Sequence, residues 1–414
     1  MSETDVAKQQ SLAGLFSRRH DVPSARPYNL WLVLIAITLL SISFVIVTSA
    51  SIPEAVRLHD NPFHFAIRHG IYICLAVVAA MITLNIPMQF WRVMNPYLLL
   101  LAVALLVAVL IIGREVNGST RWLVVGPVTV QAAEPAKLFF FCYLAGYLVR
   151  RYEQVTENLK GFIKPLLVFF VLAVLLLMQP DLGTVIVMFA TTLALLFLAG
   201  AKLWQFFALG FTGIAAVVSL IVYSDYRMKR ITAFLDPWAD PFGSGYQLTQ
   251  SLMAFGRGSW LGQGLGNSVQ KLNFLPEAHT DFIMAILAEE LGFAGIITIL
   301  ALILWMVIIA LRIGNKALTN ERPFDAFVAY GIGVWFSFQT AVNLGAASGV
   351  LPTKGLTLPL VSYGGSSLII MCVAVAILIR IDFEIRVAGV QAMPKKRKRA
   401  AKAVPVDDRE AEHA

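Results

Sequence analysis

The densest group of chemically useful side chains lies at residues 224–280 and directly after them, between two long apolar runs. The segment closes with His279, Thr280 and Asp281, and the next apolar run begins there. The start of a helix favours a charged carboxylate, whereas partial burial raises its pKa. These opposed effects suit a general base. The alternative interpretation is that Asp281 caps the helix, and the two roles are compatible at one position.

Five basic side chains share this segment with the aspartate. They are Arg227, Lys229, Arg230, Arg257 and Lys271. Guanidinium and ammonium groups bind phosphate well, so an anionic ligand is one hypothesis. Contact with lipid headgroups is the other. His279 could act as an acid, a base or a ligand, although a histidine in a loop also serves as a simple hydrogen-bonding residue.

A glycine series runs through the same segment. It consists of Gly256, Gly258, Gly262, Gly264 and Gly266. No strand–turn–helix unit surrounds it, so it is not a dinucleotide-binding fingerprint. The series instead predicts a backbone that approaches something closely, or a loop that re-enters the membrane against protein.

The elements that must position these residues are membrane helices. Of 414 residues, 58% are hydrophobic and 14% are charged, whereas soluble domains average roughly 25% charged. Apolar runs near the ~20 residues that cross a bilayer predict an all-α polytopic membrane protein with about ten transmembrane helices. We place these helices at roughly 28–49, 66–85, 96–112, 131–149, 162–178, 182–200, 203–223, 281–311, 323–347 and 358–381.

The distribution of Lys and Arg predicts the orientation. An arrangement with both termini cytoplasmic puts about two thirds of the 33 basic residues inside, as the positive-inside rule requires. Residues 1–27 then form a polar cytoplasmic tail, 28–385 the transmembrane domain, and 386–414 a basic and disordered cytoplasmic tail. The segments rich in Gly, Pro and polar residues all fall on the outer face, which indicates function outside the cytoplasm. The net charge of +8 needs no nucleic acid, because basic tails bind anionic lipid headgroups.

Four charged residues interrupt the apolar runs, where such groups are costly and usually paired or functional. Glu134 and Lys137 are three residues apart and are predicted to pair on one helix face. Glu289 and Glu290 lie about 12–14 Å beyond Asp281 along a helix. They are expected to bind Arg or Lys from neighbouring helices, or to line a polar cavity.

A set of motifs in order resembles the SEDS family (shape, elongation, division and sporulation) from about residue 28 to 385. Ala278 and Thr357 are typical of its division branch rather than of its elongation branch. The motifs are Asn117-Gly-Ser-Thr-Arg-Trp122, Gln131-x-x-Glu134-x-x-Lys137, Gln179-Pro-Asp-Leu-Gly183, Phe234-Leu-Asp-Pro-Trp238, Gly245-Tyr-Gln247, Gly262-Gln-Gly-Leu-Gly266, Leu275-Pro-Glu-Ala-His-Thr-Asp-Phe282, Glu289-Glu-Leu-Gly292 and Pro359-Leu-Val-Ser-Tyr-Gly-Gly-Ser-Ser367.

The resemblance implies a peptidoglycan glycosyltransferase that polymerises lipid II on the outer face of the bacterial cytoplasmic membrane, at the division septum. Asp281 matches the family's essential loop aspartate and would deprotonate the acceptor hydroxyl. Arg121, Trp122, Glu134 and Lys137 match positions around the central cavity. Candidates for pyrophosphate contact are Arg227, Lys229, Arg230, Arg257, Lys271 and Lys354.

The resemblance also implies partners and leaves rival functions to be tested. The partners would be lipid II, the undecaprenyl-pyrophosphate-linked glycan, the class B penicillin-binding protein transpeptidase FtsI and other divisome proteins, with a divalent cation such as Mg²⁺ or Mn²⁺ assisting. One alternative is a lipid II flippase, which would use Glu134, Lys137, Glu289 and Glu290 more than Asp281. The other is a scaffold without catalysis, in which the outer loop docks partners.

Overall fold

The computed structural model describes residues 28–392 except 117–118, 126–127, 273 and 353–354. The predicted tails at 1–27 and beyond 392 therefore lie outside the described residues, as does Lys354. Helices dominate the described part, and each of the ten predicted spans overlaps one of them. In chain order the helices are α1 (Leu30–His59), α2 (His64–Asn85), α3 (Met88–Ile112), α4 (Ala133–Arg150), α5 (Tyr152–Glu157), α6 (Leu159–Met178), α7 (Leu182–Leu198), α8 (Leu203–Val222), α9 (Asp225–Leu235), α10 (Tyr246–Gly258), α11 (Ile283–Thr319), α12 (Pro323–Ala347) and α13 (Gly365–Ala392).

Six of the helices in the described part are long and apolar enough to cross a membrane: α1, α2, α3, α6, α8 and α11. Many of their apolar side chains face outward, and α8 buries only Gln205. Such surfaces suit contact with lipid rather than water. The chain is thus a predominantly helical, multi-pass membrane protein.

The core lies on α4, α11, α12 and α13. Large side chains there are fully buried, among them Phe140 and Phe141 of α4 and Trp335 and Phe336 of α12. Phe141 packs against Trp335 with ring centroids 5.8 Å apart. These four helices therefore form the rigid centre on which the loops of one face are mounted.

The all-α prediction is wrong for residues 114–131, which form a small antiparallel sheet. Strands β1 (Arg114–Val116), β2 (Ser119–Val125) and β3 (Val128–Gln131) pair in the order β1-β2-β3. Trp122 of β2 lies opposite Gln131 of β3. The sheet is rich in β-branched valine and threonine, which favour strands, and it ends directly before α4.

Two predicted helix boundaries also differ. Helix α3 begins at Met88 and contains Pro96, whereas the prediction started it at 96. Helix α13 begins at Gly365, because 358–364 forms a turn in which Leu360 has a positive φ of 59°. An apolar run can thus be a buried turn when Pro359 and Gly364 interrupt it.

The segment 224–280, predicted to lie on the outer face, contains α9 and α10 and then folds back onto a break in α11. Gly292 has φ 68° and ψ −166°, which interrupts that helix. The carbonyl oxygens of Glu289 and Glu290 accept hydrogen bonds from the Gln263 and Gly264 amides, at 2.9 and 3.0 Å. The amides of Phe293 and Ala294 donate to the carbonyls of residues 259 and 260, at 3.0 and 3.1 Å. The loop thereby pairs four backbone groups that the break leaves without helical partners.

The glycine series makes this contact close. A Cβ at Gly258 would lie 1.8 Å from the Ala288 carbonyl oxygen, and one at Gly262 would lie 2.1 Å from the Glu290 carbonyl oxygen. Gly262 also has a positive φ of 77°, which favours glycine. The prediction of a close backbone approach is confirmed.

Candidate active site

Asp281 lies in the last turn before α11. That helix begins at Ile283, and its N-cap is Phe282 with no side-chain capping hydrogen bond. The capping interpretation of Asp281 is therefore wrong, because the helix starts two residues later. The Asp281 backbone is fixed from α12 instead: Asn343 Nδ2 donates to the carbonyl oxygens of Asp281 at 3.0 Å and Leu356 at 2.6 Å.

The surroundings of Asp281 raise the pKa of its carboxyl group from 3.8 to about 7. Burial is the largest cause, and the nearby carboxylates of Glu277 and Asp181 act in the same direction. The guanidinium groups of Arg121 and Arg230 oppose them and lower the pKa. A carboxylate with a pKa near neutrality is a strong enough base to take a proton, and it is about half ionised at pH 7 and mostly ionised at pH 8.

Asp281 opens onto a polar cavity of about 1130 Å³. The cavity brings together six of the predicted site residues from distant parts of the chain. They are Asp281, Arg121, Trp122, Glu134, Arg227 and Arg230. Strand β2, helices α4 and α9 and the turn before α11 supply these side chains. The cavity is large enough for a sugar with its phosphates, and it carries both cationic and anionic groups.

Arg121 is held in place beside the carboxylate. Its Nε donates to the Gln179 carbonyl at 3.0 Å, and its Nη2 donates to the Pro180 carbonyl at 2.7 Å. A Cβ at Gly355 would lie 3.0 Å from Asp281 Oδ2 and 3.8 Å from Arg121 Nη1. Because Gly355 has no side chain, the space between the Asp281 carboxylate and the Arg121 guanidinium group stays open to the cavity.

Five other predicted residues in the described part of the chain lie outside this cavity, and one of them, Lys229 of α9, is exposed. Lys137 is fully buried behind Glu134, where its Nζ donates to Glu134 Oε1 at 3.0 Å and to Gln339 Oε1 at 2.9 Å. His279 faces Glu54, with 3.3 Å between Nδ1 and Oε2. Lys271 and Arg257 bind the two carboxylates of α11 described next.

The charged residues within the spans are paired. Glu290 Oε1 accepts from Lys271 Nζ at 2.7 Å, and Glu289 Oε1 lies 3.5 Å from Arg257 Nε. Arg257 belongs to the neighbouring helix α10, as expected, whereas Lys271 comes from the loop between α10 and α11 rather than from a helix. The predicted Glu134–Lys137 pair is confirmed.

The cavity also exposes residues that the sequence analysis did not select. Arg68 of α2, Glu277, Asp181 and Tyr363 all line it. Asp181 also accepts hydrogen bonds from the Thr184 amide at 3.1 Å and hydroxyl at 2.8 Å, and so caps α7. The available signal for Arg68 was a basic residue near the start of an apolar run. Tyr363 lies in the turn before α13 and within the Pro359–Ser367 motif, which gave no role to this side chain.

Comparison with known proteins identifies the group to which this chain is related. The FtsW, RodA and SpoVE family of cell cycle proteins matches residues 29–386. The chain belongs to this family. A relative from Alteromonas naphthalenivorans, named a probable peptidoglycan glycosyltransferase FtsW, is 71% identical over 95% of this chain and 77% of its own length. A protein of the same name from Escherichia coli O6:H1 is 56% identical over 91% of both chains.

Solved structures of family members share the fold. One chain comes from a study of how a peptidoglycan synthase complex coordinates polymerization and crosslinking. It has a TM-score of 0.72 and 28% identity, with 86% of this chain and 98% of that one covered. The rod shape determining protein RodA from Thermus thermophilus has a TM-score of 0.64 and 26% identity, with 87% and 98% covered. The helical framework around the cavity is therefore that of the family.

Proposed function

We propose that this peptidoglycan glycosyltransferase polymerises lipid II on the outer face of the cytoplasmic membrane, with Asp281 as its general base. One observation carries the proposal. A carboxyl group whose pKa is raised to about 7 shares a cavity with Arg121, Arg227 and Arg230. A base beside an anion-binding wall is what glycosyl transfer from a pyrophosphate donor requires.

The reaction follows from this arrangement. Asp281 takes the proton of the 4-hydroxyl of an incoming lipid II as that oxygen attacks the anomeric carbon of the growing glycan. The bond from this carbon to the pyrophosphate oxygen breaks, and the pyrophosphate leaves on its lipid with the bonding electrons. Attack opposite the leaving group converts the α-linked donor to a β-1,4 product, so the transfer is inverting and needs one base.

The arginine side chains stabilise the departing pyrophosphate. Arg121, Arg227 and Arg230 line the cavity, and we add Arg68 of α2 to this group. Guanidinium groups bind phosphate oxygens in pairs and remain charged at any physiological pH. Because the cavity excludes part of the solvent, each contact stabilises developing negative charge more than it would in water. Trp122 and Glu134 complete the wall that holds the substrate.

A divalent cation fits this site only as one shared with substrate. No group of three or more His, Cys, Asp and Glu side chains in the described residues could hold a metal ion. Mg²⁺ is commonly bound by one or two carboxylates together with substrate phosphates. Glu277 is the cavity residue that would share it. When bound, the cation would neutralise charge on the pyrophosphate.

We further propose ten membrane spans with both termini in the cytoplasm and the cavity open to the outer face. The four helices that complete the set, α4, α7, α12 and α13, are shorter or carry charged residues that pair internally. The proposed partners are the class B penicillin-binding protein FtsI and other divisome proteins, at the division septum. Basic residues that concentrate on the cytoplasmic connections support this orientation.

The test is polymerisation of labelled lipid II by the full chain, purified in detergent with its transpeptidase partner. Wild type should produce glycan strands. Asp281→Asn, which keeps the side-chain shape, should lower the rate about 10²-fold or more, because general base catalysis is lost. Equal polymerisation by Asp281→Asn and wild type would refute the assignment of the base.

The rival functions give different results in the same preparation. A flippase would move lipid II across vesicle membranes without making polymer, and a scaffold would bind the transpeptidase and do neither. The four charges that a flippase was expected to use are engaged in ion pairs, of which Glu134–Lys137 and Glu290–Lys271 are buried, and this favours the polymerase.

A further inference from the structure

Glu289 is a buried carboxylate that holds a distant part of the chain. Its oxygens accept hydrogen bonds from Ser268 Oγ at 2.5 Å, from the Val269 amide at 3.0 Å and from the Gln270 amide at 3.2 Å. The side chain is fully buried, whereas that of its ion-pair partner Arg257 is 46% exposed. The three donors of residues 268–270 are therefore its main hydrogen-bond partners, since an exposed ion pair contributes little to stability.

This contact ties together the chain on the two sides of Asp281. Residues 268–270 precede the aspartate, and Glu289 follows it in α11. The Leu275 amide donates to the Gln270 carbonyl at 2.9 Å, and the Phe282 amide donates to the Glu277 carbonyl at 3.2 Å. A run of hydrogen bonds thus connects the tied segment to the turn that carries Asp281.

Glu289 lies on the part of α11 that follows Asp281, so its contact with residues 268–270 affects the position of the aspartate. The break at Gly292 separates residues 283–291 from the rest of the helix. This short segment follows Asp281 directly, so its placement sets where the carboxylate points. It cannot rely on a continuous helix beyond the break, and it depends on the loop for its backbone pairing. Glu289 adds a side-chain contact at the same place.

We propose that Glu289 is a positioning residue for Asp281, which it acts on by fastening residues 268–270 to the helical segment that follows the aspartate. The proposal rests on the proposed function, in which Asp281 is the base. A base must lie within hydrogen-bond reach of the acceptor hydroxyl, and a displacement of about 1 Å can lower a rate 10²-fold. Glu289 touches no substrate and acts through Asp281 alone.

The variant that tests this is Glu289→Gln in the full chain with its transpeptidase partner. The amide keeps the size of the side chain but offers one acceptor oxygen where the carboxylate offers two. At least one donor of residues 268–270 then loses its partner. We expect kcat to fall roughly ten- to hundredfold with an unchanged KM, because ground-state binding is unaffected.

The pH profile separates positioning from general structural damage. The charged groups that face Asp281 are Glu277, Asp181, Arg121 and Arg230, and all of them remain in the variant. Loosening the turn admits water to Asp281, which reduces the effect of burial on its pKa. The acid limb of kcat should therefore move to lower pH. A lower kcat with an unshifted acid limb would refute the proposal, and so would a wild-type kcat.

A matched control comes from the same outer segment. Asp240 also accepts hydrogen bonds from a backbone amide and a hydroxyl, both of Ser244, at 2.7 and 3.1 Å. It does not line the cavity, so Asp240→Asn should leave kcat and its pH profile unchanged.

Two further variants, Ser268→Ala and Asp281→Asn, are measured beside Glu289→Gln. If Glu289→Gln fails to fold, Ser268→Ala removes a single donor and should give a smaller fall in kcat with the same shift of the acid limb. An unaltered kcat and pH profile in Ser268→Ala would then refute the positioning role. Asp281→Asn is measured in parallel, because it tests the proposed function alone. High activity in Asp281→Asn would refute the role of Asp281 as the base. The result for Glu289→Gln tests the positioning role separately.

Discussion

Asp281→Asn should lower the rate of polymerisation about 10²-fold or more and at the same time make the folded chain more stable at pH 8. Burial and the carboxylates of Glu277 and Asp181 raise the pKa of Asp281 from 3.8 to about 7. Above pH 7 the folded protein must therefore hold a charge that its surroundings disfavour. Asparagine has a similar shape and no charge, so it removes this cost. Sites that are poised for reaction commonly reduce stability in this way.

The size and pH dependence of the gain follow from the same shift. One pKa unit corresponds to about 1.4 kcal/mol, so a rise of three units costs up to roughly 4 kcal/mol. Between pH 3.8 and about 7 the folded state binds the proton and the unfolded state does not, so stability falls as the pH rises. Above about pH 7 the cost stays constant, and below about pH 4 it vanishes because both states are protonated.

Thermal unfolding of the purified full chain in detergent, at pH 4 and pH 8, measures this effect. The Tm of Asp281→Asn should exceed that of wild type by several degrees at pH 8 and nearly match it at pH 4. Asp240→Asn is the control, and its Tm at pH 8 should be lower than that of wild type rather than higher. Hydrogen bonds from Ser244 lower the pKa of Asp240 and favour its charged form, which asparagine cannot adopt. An equal or lower Tm for Asp281→Asn at pH 8 would refute the claim that this carboxylate is held at a cost.

Three further changes test other parts of the structure. Glu277→Gln removes a charge that raises the pKa of Asp281, so the acid limb of kcat should move to lower pH, and an upward shift would contradict this electrostatic account. Lys137→Met leaves the buried Glu134 carboxylate without its cation and should lower stability by about 3–5 kcal/mol; Lys137→Met with Glu134→Gln should recover most of the loss in chemical unfolding. Gly262→Ala places a methyl group 2.1 Å from a backbone oxygen and should abolish stable folding, whereas Gly256→Ala, with nothing within 4 Å, should have a normal unfolding midpoint.

Sequence reasoning predicted the long apolar helices because these depend on local patterns. An apolar run of about 20 residues is its own evidence for a membrane helix. The pairing of Glu134 with Lys137 follows from helix geometry alone, since residues three apart share a face. A carboxylate directly before such a run marked Asp281 as either a helix cap or a base, and the resemblance to the family favoured the base. The exact start of the helix at Ile283 could not be predicted from the sequence.

The parts that sequence reasoning missed depend on contacts between distant segments. The sheet at 114–131 is short, and its only local signal was an Asn-Gly pair at 117–118 between segments rich in β-branched residues. Glu289 and Glu290 were expected to bind cations of neighbouring helices, which holds for Arg257 of α10, but Lys271 reaches Glu290 from the loop that follows α10. That pairing requires the loop to fold back onto Gly292. A single glycine in an apolar run does not predict an interruption of the helix.

The break at Gly292 explains why so polar a loop belongs to this membrane domain. Unpaired backbone groups at membrane depth cost several kcal/mol each, so a broken span is stable only where other parts of the protein satisfy them. Four hydrogen bonds from residues 259–264 do so, and Glu289 and Glu290 bind the loop beyond them. Removing the loop would thus destabilise the helix as well as the active site. The segment that delivers Asp281 to the cavity is, for the same physical reason, a structural part of the span that follows it.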